Sequence, residues 1–249
     1  VKERRDRHSF HIINYICMIP KVIHLCWFSD DPFPVEIKIC LASWKRILPD
    51  YTVRRWTYAD AMAIGCDFIA EALHAKKWAF AADAVRFYAI YKEGGIYMDS
   101  DMLVEKRFDS FIPQHGFATF NELWGTLFLQ AAFLIGEQGN AYCKEVFEYY
   151  NQRHFLLPDG SFDMLISPKI MTMIAEKKGY KREDVEQRLG DDIIIYPSCY
   201  VSPCKTIRYP EAFACHQVYG SWRKRRFGRK IERFLKHICL VVRFALFKR

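Results

Sequence analysis

The sequence predicts an α/β fold, a Rossmann-like, mostly parallel sheet flanked by helices, followed by a basic amphipathic helical tail. Three observations carry this. The first hundred residues alternate in the order strand–helix–strand–helix–helix–strand. Two of their strand patterns, Ile19–Phe28 and Ile96–Met98, are short apolar runs, as in sheets covered on both faces. One stretch, Trp78 to Val104, reads as a helix, a glycine stop, a short buried strand and two carboxylates.

Ile19 to Phe28 (I-P-K-V-I-H-L-C-W-F) suits a buried central strand, and S-D-D-P turns the chain at its C-terminal end, the edge where open α/β sheets bind ligands. Val35 to Ile47 has helical spacing, with Ile37, Leu41, Trp44 and Leu48 on one face, and Pro49-Asp50 stops it. Tyr51 to Trp56 is a second strand, and Tyr58 to Ala75 is helical with a turn near Gly65. Next comes the Trp78–Val104 stretch, where Phe80, Ala84, Phe87, Tyr88 and Tyr91 recur at helical spacing. Gly94 and Gly95 stop that helix, and Ile96 to Met98 form a strand. Asp99 and Asp101 follow, facing the same way if the chain stays extended. Two adjacent carboxylates repel unless a cation lies between them, and hard oxygen ligands suit Mg²⁺ or Mn²⁺.

Further strands are expected at Phe117–Phe120, Leu127–Ile135 and Ile193–Tyr196, the last with a partner near 200–208. Helices are expected at Asn140–Arg153 and Lys169–Lys178, separated by a loop with Pro158, Gly160 and Pro168. The domain spans 18–222. Residues 1–17 are an extension or a loosely packed first helix, and 223–249 form the tail.

Charge and composition narrow the function classes. Of 249 residues, 51% are hydrophobic and 16% aromatic, which excludes a disordered chain. Residues 221–249 hold eleven Lys/Arg and one Asp/Glu, net +10 against +8 for the whole, so the rest carries −2. The basic charge is therefore a local patch, which speaks against a general nucleic-acid binder. In the tail, Phe227, Ile231, Phe234, Leu235, Ile238, Val241, Val242 and Ala245 form an apolar stripe opposite basic residues. That pattern fits a helix lying in an anionic membrane interface, or a terminal helix packed on the body with a solvated basic face. The nine cysteines show no C-x-x-C or zinc spacing and read as reduced thiols of a cytoplasmic protein. There is no G-x-G-x-x-G and no G-K-[ST], so phosphates must be held another way.

I-P-K-V-I-H-L-C-W-F, S-W-K-R-I-L-P-D-Y with Trp56, A-F-A-A-D-A-V-R-F-Y-A-I-Y-K-E-G-G-I-Y-M-D-S-D, S-P-K-I-M-T and H-Q-V-Y-G-S-W together resemble the glycosyltransferases with a D-x-D sugar-binding region. That group includes fungal initiating mannosyltransferases and bacterial polysaccharide enzymes, and is more distantly similar to clostridial toxin glucosyltransferases. The resemblance spans about residues 19–222. It implies a GT-A fold, a nucleotide-sugar donor (UDP-hexose, or GDP-mannose), Mn²⁺ or Mg²⁺, and retention of anomeric configuration.

The resemblance also implies roles for residues. Asp101 is a metal ligand; Asp99 holds donor hydroxyls and reaches the metal. Asp83 and Arg86, at i and i+3, grip the donor sugar. His216 or Ser221 completes the metal shell, and Trp222 gives its indole N–H to the leaving phosphate. His24 to Trp27 hold base and ribose, while Tyr97 contacts the donor or belongs to the core. Ser167, Pro168 and Thr172 line the acceptor side. Gln130 stands where the family carries an asparagine that reaches the donor sugar, which leaves donor identity open.

No residue stands out as a general base, so same-face attack is expected, with the leaving phosphate taking the acceptor's proton. The leading expectation is a metal-dependent retaining hexosyltransferase building cell-surface polysaccharide on a glycan or lipid-linked glycan acceptor. It would sit peripherally on the inner face of the cell membrane. The alternatives are a protein- or small-molecule-directed glycosyltransferase, or a non-catalytic basic module binding membrane or nucleic acid.

Overall fold

The computed structural model describes residues 19–123, 125–203 and 209–218, with Ile238 and Val242 in the tail. The N-terminal extension, Ser221, Trp222 and the membrane-helix expectation for 223–249 lie outside the described residues, as does Cys204. Among the described residues, Cys26, Cys66, Cys143 and Cys199 stand as free thiols.

The chain enters at β1 (Val22–Cys26), crosses through α1 (Val35–Ile47) to β2 (Thr52–Trp56), and passes α2 (Tyr58–Met62), α3 (Asp67–His74) and α4 (Trp78–Glu93) to reach β3 (Gly95–Met98). β4 (Met102–Val104), β5 (Phe117–Leu123), β6 (Leu127–Leu129) and β7 (Phe133–Gly136) follow, then α5 (Ala141–Asn151) and α6 (Ser167–Glu176). The last strands are β8 (Gln187–Leu189), β9 (Ile193–Tyr196), β10 (Val201–Pro203) and β11 (Ala214–His216).

The main sheet runs β2-β1-β3-β7-β5-β9-β8, with β6 hydrogen-bonded to β5. β1 is parallel to both neighbours, and β5 is parallel to β9. β7 runs against β3 and β5, and β8 against β9, so five strands on this path point one way. The mixed, mostly parallel expectation holds. A three-stranded sheet, β10-β11-β4, lies apart from it.

Side-chain alternation divides the core. Ile23, Leu25, Ile96 and Met98 point to the face covered by Trp44 and Leu48 at the end of α1, with Phe108 and Phe213. Tyr97, Phe117, Leu134 and Ile195 point to the face covered by α3, α4, α5 and α6. α4 is the most enclosed helix: Phe80 to Phe87 are all buried, Asp83 and Arg86 among them. Buried charges are stable only when paired, so the site begins inside this helix.

Two glycines set the exit of α4. Gly94 has φ 66° and Gly95 φ 106°. A Cβ on Gly95 would stand 2.6 Å from the Val22 carbonyl oxygen, and one on Gly94 2.7 Å from the Gln138 nitrogen. The bare backbone lets β3 start hard against β1.

Four expectations need correction. Leu127–Ile135 is two strands, because Gln130, Ala131 and Ala132 break out to meet other groups. α6 starts at Ser167, two residues early, since a proline at a helix's first positions needs no amide partner. The partners of β9 are β5 and β8, while 201–203 pairs with β11. Asp99 and Asp101 face together through a turn closed by the Met102 N–H on the Asp99 carbonyl at 3.0 Å, not through an extended chain.

Candidate active site

A cleft opens where the parallel strands end, bounded by β1, α4, β3 and the start of α6. It encloses about 390 Å³, within the ~300–1,000 Å³ of small-molecule sites. Trp27, Asp83, Arg86, Tyr97, Asp99, Asp101, Gln130, Ser167, Pro168 and His216 all line it.

α4 contributes the Asp83–Arg86 pair. Arg86 Nη2 lies 2.8 Å from Asp83 Oδ1 and 3.5 Å from Asp99 Oδ1. Arg86 Nε and Nη1 donate to the carbonyls of Ala82 and Ala131 at 3.1 and 2.6 Å. Arg86 thus spends its donors on the protein and acts as a buried frame. Burial opposes its charge, yet Asp99, Tyr97 and Asp83 together raise its pKa above the ordinary value. Ser167 donates to Asp83 from its Oγ (2.7 Å) and its backbone N–H (3.2 Å). Burial pushes the Asp83 carboxyl up, opposed by Arg86 and Ser167.

Tyr97, on β3, donates its hydroxyl to Asp99 Oδ1 at 2.7 Å, and the Arg86 guanidinium sits 4.8 Å from its ring centre. Burial drives its phenol pKa up, so it remains a donor.

His216 reaches the carboxylates from 115 positions downstream. β11 pairs antiparallel with β4, placing His216 opposite Met102, and the Gln217 N–H donates to the Asp101 carbonyl at 3.1 Å. α1 holds β4 in place: the Trp44 indole donates to the Met102 carbonyl at 2.7 Å, and the Val104 N–H donates to Ser43 Oγ at 3.0 Å. His216 Nε2 lies 3.5 Å from Asp101 Oδ1, and Nδ1 3.5 Å from Glu122 Oε1. Burial works against its proton, but the carboxylates of Asp101 and Glu122 outweigh that and raise its pKa well above the ordinary histidine value.

Asp99, Asp101 and His216 each offer a ligand atom, all within 4.8 Å of one another. Two carboxylates and an imidazole converging on one point fit a divalent cation such as Mn²⁺, which accepts both oxygen and nitrogen.

Trp27 sits at the rim, its indole donating to the Asp31 carbonyl at 3.0 Å and its ring 4.7 Å from Phe33. Gln130 is buried: its Oε1 accepts from the Ala132 N–H at 2.9 Å and its Nε2 donates to Glu122 Oε1 at 3.0 Å. Thr172 lies one turn inside α6 and donates to the Pro168 carbonyl.

His24 does not line the cleft. It is fully buried; its Nδ1 accepts from the Trp56 indole at 3.1 Å and its Nε2 donates to the Gly94 carbonyl at 2.7 Å. Both ring nitrogens are used in tying β1 to β2 and to the end of α4. The sequence reading missed Glu122 and the Ser167 clamp on Asp83. Glu122 is buried near the end of β5, in F-A-T-F-N-E-L, where its polar neighbour Asn121 leaves no sequence signal that sets it apart from a solvated carboxylate.

Residues 34–118 match the family model described as "Glycosyltransferase sugar-binding region containing DXD motif". That span contains Asp83, Arg86, Asp99 and Asp101. No curated protein matches the chain. Among solved structures, "PaToxG Glycosyltransferase" aligns with TM-score 0.50 and 16% identity over 65% of this chain and 70% of that one. A structure of the galactosyltransferase LgtC with donor and acceptor sugar analogs aligns with TM-score 0.47 and 11% identity, covering 86% of this chain and 94% of its own. A glycosyltransferase involved in glycosylation of the major capsid of PBCV-1 gives TM-score 0.43 and 15% identity, covering 79% and 93%. At such identities the PaToxG match speaks to the fold alone, which is GT-A-like.

Proposed function

We propose that this chain, a glycosyltransferase carrying its DXD region within residues 34–118, moves a hexose from a nucleotide-sugar donor to a glycan acceptor with retention of configuration. The observation that carries the proposal is the meeting of Asp83–Arg86 and Asp99–Asp101–His216 in one cleft. A divalent cation held by Asp99, Asp101 and His216 would supply Lewis-acid neutralisation of the diphosphate leaving group.

The protein's own residues do the rest. Arg86 fixes Asp83 and Asp99 in one frame, so both carboxylates are oriented before the donor arrives. Asp83 accepts from sugar hydroxyls while Ser167 and Arg86 hold both of its oxygens. A carboxylate held this way is suited to gripping rather than to covalent attack, which supports the same-face route. Trp27, with Phe33 beside it, offers an aromatic face at the cleft mouth for the base. Trp222 and Ser221 are proposed to close over the diphosphate.

The acceptor is proposed to be a glycan or lipid-linked glycan of the cell surface, met at an anionic membrane face through 223–249. No described helix is long and apolar enough to cross a membrane.

The test is a screen of nucleotide sugars, UDP-hexoses and GDP-mannose included, for Mn²⁺-dependent hydrolysis. One donor should be hydrolysed by the wild type and not by Asp101→Ala. Equal hydrolysis by that variant removes the metal assignment, and a trapped glycosyl adduct on an Asp or Glu removes the same-face route.

A further inference from the structure

The cleft holds a buried carboxylate that the proposed reaction does not use. Glu122 ends the buried part of β5 and is 5% exposed. Nothing cationic from a lysine or arginine pairs with it among its described contacts. What faces it is His216 Nδ1 at 3.5 Å and Gln130 Nε2 at 3.0 Å, both on Oε1.

The Gln130 amide cannot turn round. Its Oε1 is occupied by the Ala132 N–H at 2.9 Å, so the end presented to Glu122 is the NH₂ donor. Glu122 Oε1 is thereby held as an acceptor at a set position. On the other side, His216 Nδ1 is buried and makes no hydrogen bond with the described residues. Among the described residues the acceptor facing it is Glu122 Oε1, while Nε2 of the same ring faces Asp101. A ring with a carboxylate behind one nitrogen and a ligand cluster before the other is the arrangement that fixes which nitrogen binds a metal.

We infer that Glu122, itself anchored by Gln130, is a positioning residue that takes the Nδ1–H of His216 and aims Nε2 at the divalent cation held by Asp99 and Asp101. This rests on the proposed metal site and adds to it a line of support, from Ala132 through Gln130 and Glu122 to His216. The 3.5 Å gap closes by a small ring shift when Nε2 gains a ligand. Gln130, aligned by family resemblance with a sugar-contacting asparagine, is then a metal-supporting residue in this chain.

The experiment is Mn²⁺ binding to the full-length protein, read by the electron paramagnetic resonance of free Mn²⁺ without donor or turnover. Glu122→Ala should weaken Mn²⁺ by about 10- to 100-fold, the usual cost of losing such a partner. Glu122→Gln should keep most of the affinity, because its amide oxygen accepts from both Nδ1 and Gln130. Adding Glu122→Ala to His216→Ala should cost nothing further. Wild-type affinity in a folded Glu122→Ala overturns the inference, and so does Glu122→Gln as weak as Glu122→Ala, which would make Glu122 a charged ligand. If Glu122→Ala does not fold, ¹⁵N NMR of His216 in the Mg²⁺-loaded wild type decides: a proton on Nδ1 supports the inference and a bare Nδ1 overturns it. Failure of the parent reading looks different, since wild type and Asp101→Ala would then bind Mn²⁺ equally poorly, which overturns both.

Discussion

Ser167 Oγ sits 2.7 Å from Asp83 Oδ1, joining residues 84 positions apart, and the Ser167 N–H reaches the other oxygen at 3.2 Å. The start of α6 is thus clamped onto the middle of α4 through a buried carboxylate. Ser167→Ala removes the shorter of two hydrogen bonds to a charged acceptor, a loss of about 1.5–3 kcal/mol in stability. Because Asp83 keeps Arg86 and the Ser167 amide, the enzyme should fold. With its shortest anchor gone, Asp83 should be held less firmly and bind the donor less well, raising KM several-fold with little change in kcat. Urea denaturation and donor-hydrolysis kinetics check the two parts. Unchanged KM in Ser167→Ala would separate Asp83 from donor binding.

Arg86 is the second prediction. It lies between Asp83 at 2.8 Å and Asp99 at 3.5 Å and is 4% exposed. Removing one partner of a buried pair leaves an uncompensated charge and costs about 3–5 kcal/mol. Arg86→Ala should therefore lose that much stability by urea denaturation. Adding Asp83→Asn should recover part of it, since the stranded charge is gone. No recovery in the double variant would mean that the bond to the Ala131 carbonyl, at 2.6 Å, matters more than the pair.

Much of this framework was legible from residue patterns, and the failures have physical causes. α1 and α4 are long enough for a 3.6-residue period to repeat, so Val35–Ile47 and the helix closed by Gly94 appear with their bounds. β4, β10 and β11 are three residues each, too short for any period, and they form the sheet that carries His216 to Asp101. The Asp99–Asp101 juxtaposition was expected, but its cause, a turn, is set by a backbone hydrogen bond that composition does not reveal. The family resemblance put His24, at the end of the first strand with Trp27, against the donor's base and ribose. Its two partners, the Trp56 indole and the Gly94 carbonyl, come from 32 and 70 positions away and are a tertiary matter. Glu122, between Asn121 and Leu123, ends no apolar run that would mark it, and its partners lie eight residues on in Gln130 and far beyond that in His216.

His24 yields a pH prediction. Burial lowers its pKa from 6.5, with the Gly94 carbonyl and Glu93 opposing and Arg54 assisting. The folded protein therefore refuses a proton that the unfolded chain accepts below pH of about 6.5, and stability falls as pH drops through that value. Between about pH 7.5 and about pH 5.5 the wild type should lose Tm relative to His24→Gln, because glutamine does not titrate and histidines with raised pKa, such as His216, are common to both. A variant with the same Tm–pH slope as the wild type would remove His24 as the source.

The tail prediction rests on charge alone. Residues 221–249 carry a net +10. Basic residues near an anionic surface contribute about 1 kcal/mol each, an attraction that decays over a Debye length of roughly 10 Å at 0.1 M salt. The full chain should therefore pellet with phosphatidylserine-containing vesicles at low salt, less so at high salt, and not with neutral vesicles. A chain ending at Trp222 should stay in solution yet still hydrolyse the donor, since Asp83, Arg86, Asp99, Asp101 and His216 all precede the cut. Binding that survives the deletion would place the membrane contact on the body. Equal binding to neutral vesicles would make the apolar stripe, from Phe227 to Ala245, the attachment rather than the basic face.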